Sequence, residues 1–315
     1  MLHAVPVAAT AIPAAITVAC RECGATLEFA PELRTARCPY CASTSIVERP
    51  PSRDRPRPTF VVGFVLDKEH AEDALRRWTR SRWFAHSGYA RAAIDAMRGV
   101  YVPTYLYGAV AHAAWSASIG EDYTETETYT TTENGHSVTH TRTVTKTEWR
   151  DLSGEHACYL TDVVVTASRG VPNEELEAIE PFDLRALRRY DPAMLSGWIA
   201  EEPSRTLEEC IAFAHDEAVR GIDEMLGRFM PGDSHRDLRF VPRLENQVVD
   251  LLLLPLWSFA VRYAPGKPPV RVLVNGQTGK AHGKVPRSFW KITGTIALGL
   301  GLLALLAWSL GLFSG

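Results

Sequence analysis

The chain has 315 residues, 46% of them hydrophobic, and a net charge of −3. Such a chain is too long and too apolar to be a small metal-only module or a solvated tail, and it can bury the core of one large domain or two smaller ones. The near-neutral total hides an asymmetry: residues 251–315 hold seven Lys or Arg and no Asp or Glu, which leaves residues 1–250 at −10.

In chain order, residues 1–14 are Ala-rich and interrupted by Pro6 and Pro13, without the basic start of an export signal, and they read as a flexible N-terminus. Residues 15–48 carry the strongest motif. Cys20 and Cys23 form one C-x2-C pair, and Cys38 and Cys41 form a second. Two tight turns that each present two sulfurs, brought together by a short hairpin, supply the four thiolates of a tetrahedral zinc ion. Gly24 lets the first turn close and Pro39 stiffens the second. A module of this size lacks a core of its own, so the metal is expected to supply its folding energy. Four protein ligands leave no open coordination position, and the zinc is expected to be structural. Arg21, Arg34 and Arg37 nearly balance Glu22, Glu28 and Glu32, and Tyr40 is the aromatic side chain expected to be exposed; for nucleic acid this is a weak footprint. Residues 49–58, rich in Pro and Arg, read as a stiff extended linker.

Residues 59–288 read as a mixed α+β domain. A strand is expected over 60–66, then a helix capped by Asp67 and packed through Ala71, Leu75 and Trp78, a second helix over 89–98, and a strand over 100–119 broken at Pro103 and Gly108. The segment 123–149 is a hairpin about Asn134-Gly135, with Tyr129 opposite His140, Glu127 opposite Arg142 and Tyr123 opposite Lys146. Its other face is a ladder of threonines from Thr124 to Thr147. Neither face is apolar, so the ribbon is expected to project into solvent or onto a partner. A strand over 160–167, an acidic helical stretch over 173–189 and a one-sided helix over 206–229 follow. Strands over 248–254, 257–263 and 270–274, separated by Pro255 and Pro265-Gly266, suggest an antiparallel meander. Gly276-Gln277-Thr278-Gly279-Lys280 resembles a phosphate loop only superficially, since its glycines are too close, and it reads as a turn. No nucleophile, base and orienter set stands out, so no enzyme is expected.

From Ile292 to Phe313 the chain carries no charge and eight Leu. At about 1.5 Å per residue it reaches roughly 33 Å, so a transmembrane helix over 290–313 is expected, with Trp290 and Trp308 at the two headgroup layers. Lys280, Lys284, Arg287 and Lys291, just before it, would keep the body on the cytoplasmic side of the membrane and meet anionic lipid. The expected product is a single-pass, tail-anchored protein with its N-terminus in the cytoplasm.

The turns Cys20-Cys23-Gly24 and Cys38-Pro39-Tyr40-Cys41, the segment Gly99-Val100-Tyr101-Val102-Pro103, Leu195-Ser196-Gly197-Trp198 with Glu201, Leu254-Pro255-Leu256-Trp257, and Val274 to Lys280 with Pro286 and Ser288 together resemble a bacterial family of zinc-ribbon membrane proteins labelled primosomal protein N′-like or TFIIB-type zinc-ribbon proteins. The resemblance implies a membrane scaffold that recruits cytoplasmic proteins, of phage-shock-like or flotillin-like kind, in membrane organisation or envelope stress. The alternative it implies is a nucleic-acid-binding factor of primosomal type without helicase activity.

Overall fold

A computed structural model describes residues 16–29, 38–41, 43, 46–49, 56–86, 88–133 and 136–309. The N-terminus 1–14, most of the linker 49–58, the Asn134-Gly135 turn and residues 310–313 lie outside the described residues. The chain divides into two compact units: residues 1–105, 165–210 and 250–315 form the first, and residues 106–164 and 211–249 the second.

Among the described residues the strands are β1 (Ile16–Cys20), β2 (Thr26–Phe29), β3 (Ile46–Arg49), β4 (Phe60–Val61), β5 (Ala93–Glu133), β6 (His136–Thr166), β7 (Arg188–Arg189), β8 (Ile199–Glu202), β9 (Ser234–Arg262), β10 (Val270–Asn275) and β11 (Ala281–Gly283). The helices are α1 (Lys68–Arg80), α2 (Asn173–Glu177), α3 (Leu207–Phe229) and α4 (Phe289–Ser309).

The sheet of the first unit runs β11-β10-β9-β5-β8-β2-β1-β3, with β4 beside β9. It is mixed. β10 and β11 pair antiparallel, as do β9 and β10, but β4 runs parallel to β9 and β8 parallel to β5. This corrects the expected antiparallel architecture with a separate ribbon, because β2 pairs β8 through Leu27↔Glu201 and makes the cysteine-bearing hairpin part of the same sheet. Leu252, Leu254, Phe259, Val272 and Val274 are fully buried along its centre. α1 lies on the sheet through Ala71, Ala74 and Leu75, and the Asp67 carboxylate caps it by accepting from His70 N–H at 2.9 Å. Pro255 does not break β9. It falls between the β4 ladder, which ends at Leu253, and the β10 ladder, which ends at Leu256, so its missing N–H deletes no pairing bond on that edge.

Two helix expectations are also corrected. Over 89–98 only Tyr89–Arg91 turns, as a 3-10 helix, and β5 begins at Ala93, because Ile94 and Met97 pack into the sheet core rather than onto a helix face. The acidic stretch 173–189 holds an α-helix only over Asn173–Glu177 and a separate 3-10 turn over Leu184–Ala186, since Pro181 disfavours a helical residue before it and cannot donate into a helix itself.

In the second unit α3 covers its sheet with a stripe at four-residue steps, Ala214, Ala218, Ile222 and Leu226 all being buried. Phe229 at the helix end stands 6.4 Å from Trp115 and 4.4 Å from His156, ring to ring. Beyond this core β5 and β6 continue as a two-stranded ribbon. The Tyr129 ring stacks on His140 at 5.5 Å, Arg142 meets Glu127 at 2.9 Å, and Lys146 reaches Glu125 at 2.5 Å and Glu127 at 3.3 Å. The threonine face is exposed, with Thr147 donating to the Asp122 carboxylate at 2.7 Å.

The expected membrane span is overturned: among the described residues no helix is long and apolar enough to cross a membrane. Lys291 sits in the first turn of α4 (Phe289–Ser309), which places a charge inside the helix. Thr293, Gly294, Thr295, Gly299 and Gly301 dilute its leucines further. With the span go the tail anchor and the single-pass membrane location inferred from residues 290–313. Two of the basic residues assigned to lipid are engaged within the chain: Lys280 donates to Glu180 O at 2.6 Å and Lys291 to Trp83 O at 3.1 Å.

Candidate metal centre

β1 ends on Cys20, and the chain turns back at once to begin β2. Gly24 N–H donates to Cys20 O at 3.0 Å and Cys20 N–H to Ala25 O at 2.9 Å. The turn requires a left-handed backbone, and Gly24 supplies it with φ of +76°. The second turn is drawn shut by Cys38 N–H donating to Ser43 O at 2.8 Å. Each turn thus offers two sulfurs, and the β1–β2 and β1–β3 ladders bring the turns together.

All four sulfurs of Cys20, Cys23, Cys38 and Cys41 lie within 4.8 Å of one another. Cys20 and Cys41 approach to 3.6 Å, as do Cys23 and Cys38. A tetrahedral ion with metal–sulfur bonds of about 2.3 Å separates its sulfurs by about 3.8 Å, so the arrangement fits a four-thiolate metal site with little adjustment. None of the four is in a disulfide; Cys20 and Cys38 are buried and the other two half-buried. The mutual Cys23–Cys38 hydrogen bond, with burial, holds the Cys23 thiol far above its ordinary value, and burial pushes Cys41 up to about 11. A cation must displace the protons of the Cys23 and Cys41 thiols to bind them.

The site is fastened to the body by the residue between its last two ligands. Tyr40, expected to be exposed, is fully buried. Its hydroxyl donates to Glu201 Oε2 at 2.8 Å, and Ser168 Oγ donates to Glu201 Oε1 at 2.7 Å. Ser258 Oγ donates to Pro39 O at 2.7 Å. Gly170 is packed against the Tyr40 ring so closely that an added Cβ would stand 2.8 Å from it. Arg271 donates to Gly170 O and pairs with Glu175 at 2.6 Å, which places a cation near this network. Burial nonetheless dominates at Glu201 and raises its carboxyl to about 7, although Ser168, Tyr40 and Arg271 all favour the ionised form. Sequence reasoning grouped the four cysteines that the fold brings together and missed this anchoring set. In β8 two acidic residues, Glu201 and Glu202, end a strand that is buried throughout, without the alternation that would have marked an exposed face.

Elsewhere the predicted features carry no site. Gly276 to Lys280 forms a turn organised by Asn275, whose Oδ1 accepts from Gln277 N–H at 2.8 Å and Thr278 N–H at 3.1 Å. Cys210 is a buried thiol donating to Thr166 O at 3.4 Å.

No family model matches the chain, and no solved structure matches it. A Bacillus subtilis protein bearing the name "Uncharacterized protein YdjG" is 26% identical over 239 residues, or 75% of this chain, and the matched stretch covers 65% of that relative's length.

Proposed function

We propose that this chain is a non-enzymatic protein adaptor: a structural zinc ion on Cys20, Cys23, Cys38 and Cys41 holds the N-terminal hairpin on the body, and the β5–β6 ribbon receives a protein partner. The observation that carries the reading is the ribbon itself. Two strands continue past the core with charged side chains on one face and threonines on the other, a surface without the apolar side needed to be core and without convergent polar groups around a cavity. Zinc is the ion favoured by four soft thiolates in a closed tetrahedron, and such a centre stabilises without reacting. The nucleic-acid alternative loses its aromatic contact, since Tyr40 is turned into the protein and bonded to Glu201.

The test has two arms. Metal analysis of the purified full-length chain is expected to give one zinc per chain, lost when Cys38 is replaced by Ser; iron in its place, or no metal, overturns the zinc assignment. Affinity capture with the full chain, and with residues 124–147 deleted, is expected to retain partner proteins on the first only, identified by mass spectrometry. Equal capture by both, or salt-sensitive retention of DNA by the full chain, overturns the adaptor.

A further inference from the structure

The first unit holds a cleft of about 310 Å³ that neither the metal centre nor the ribbon uses. The rings of Phe64, Tyr101 and Trp198 line it, together with Gly63, Arg188 and Met194. Packing fixes these rings. Phe64 stacks on Trp198, with centroids 4.0 Å apart and planes 7° apart, and both meet Trp257 edge to face at 5.3 and 5.7 Å. Tyr101 closes the group at 5.2 Å from Phe64. Two glycines make the room: an added Cβ at Gly276 would stand 2.8 Å from the Phe64 ring, and one at Gly99 would collide with the Trp198 ring. Trp257 Nε1 donates to Leu66 O at 3.0 Å and so secures the far side of the stack. A wall set this tightly is already arranged to receive a flat ring.

The charge at the cleft comes from one exposed side chain. Arg188 lies opposite Val61 in the β4–β7 pair, and directly opposed residues project to the same face of a sheet. Among the described residues its guanidinium meets no carboxylate, and its one side-chain bond runs from Nη1 to Leu187 O at 3.0 Å. No Asp or Glu lines the cleft. An aromatic box alone suits a cation. A guanidinium beside it reverses that preference, and the planar fork of Arg can hold a carboxylate through two parallel N–H groups. We infer that this cleft binds a small planar aromatic carboxylate, its ring against Phe64, Tyr101 and Trp198 and its carboxylate on Arg188. The volume lies at the small end of the range of about 300–1,000 Å³ that ligand pockets span, which limits the ligand to one or two fused rings. Met194, with a thioether that favours ring edges, supplies an adaptable side. Neither the metal nor the ribbon takes part in this binding, which goes beyond the adaptor role.

Titration calorimetry of the zinc-loaded full chain with 2-naphthoate is expected to show saturable binding at one site per chain. Cyclohexanecarboxylate keeps the charge and loses the flat ring, and 2-naphthylmethylammonium keeps the ring and inverts the charge; each should bind about tenfold more weakly or worse. Arg188→Gln should weaken 2-naphthoate by about tenfold. Arg185→Gln should not, because that guanidinium is already held by Asp183 at 2.8 Å and does not line the cleft. An added Cβ at Gly63 meets nothing within 4 Å, so Gly63→Leu should fold normally while filling the cleft and abolishing binding. Circular dichroism and the unfolding midpoint check the fold of each variant, with Gly63→Val as the replacement if the leucine is not tolerated. No saturable binding of 2-naphthoate up to about 10 mM, equal or tighter binding of either control compound, or an affinity that survives Arg188→Gln or the filled cleft overturns the inference.

Discussion

The chain contains two hairpins that could not fold as isolated pieces, and they are held by opposite means. The β1–β2 hairpin has strands of five and four residues and is fixed from outside itself, by its cysteine cluster, by the β2–β8 ladder and by Tyr40 buried against Glu201. The far end of the β5–β6 hairpin has strands of 41 and 31 residues to draw on and is fixed from within, by cross-strand ion pairs and ring stacking on an exposed surface. A short hairpin has too little surface to order itself, so its stability is lodged in a few deep contacts. A long one spreads many weak contacts, none of which is critical.

The contrast can be broken most severely at the metal. Cys38→Ser is expected to remove an energy on the order of 10 kcal/mol that the ion can supply and to release the β1–β2 hairpin together with β3, seen as a large drop in the thermal midpoint and new protease cleavage between 16 and 49. An unchanged midpoint would mean that the sheet alone suffices.

Next in size comes the pH dependence of Glu201. An ordinary glutamate ionises near 4.5, whereas this one is raised to about 7 by burial. Below pH 4.5 it is neutral folded or unfolded and imposes no cost. As pH rises toward 7 the unfolded chain loses the proton and the folded chain keeps it, so stability falls, by about 3 kcal/mol in all, and does not return above pH 7. Glu201→Gln should lack this fall. Denaturant midpoints for wild type and variant, compared at pH 5 and pH 8, isolate the effect, because the thiolates contribute equally to both proteins; parallel curves would reject it.

Tyr40→Phe leaves the ring packed and withdraws only the donor from a buried carboxylate. It is expected to destabilise by about 1–3 kcal/mol while zinc stoichiometry stays unchanged, a separation that distinguishes the anchor from the ligands. At the small end, Lys146→Ala on the exposed ribbon should leave the unfolding midpoint where it is, and so should deletion of 124–147. A cooperative loss of stability from either would show that the ribbon belongs to the core after all.

What could be read in the sequence follows the distance over which each feature is determined. The cysteine cluster was legible because the spacing of Cys20 to Cys23 and of Cys38 to Cys41 is set by the reach of a single turn. The ribbon was legible because alternating Thr and charge declare both faces polar. Tyr40 was misread as exposed because its partner, Glu201, is 161 positions away, and nothing near residue 40 announces a buried acid. The continuous β5 was misread at its start because Ile94 and Met97 are separated by three residues, a step that serves a helix face as well as it serves a strand packed on both sides. The terminal greasy segment was misread as a span because its leucines dominated the count, whereas the helix carries a lysine in its first turn and threonines and glycines beyond it.

The link from Tyr40 to Glu201 also orders events during synthesis. The cysteine turns leave the ribosome first, yet the acid, the serine and the arginine that complete their seat are translated after the whole of β5 and β6. The segment that carries the four cysteines is therefore locked in its seat only after β5 and β6 have been made.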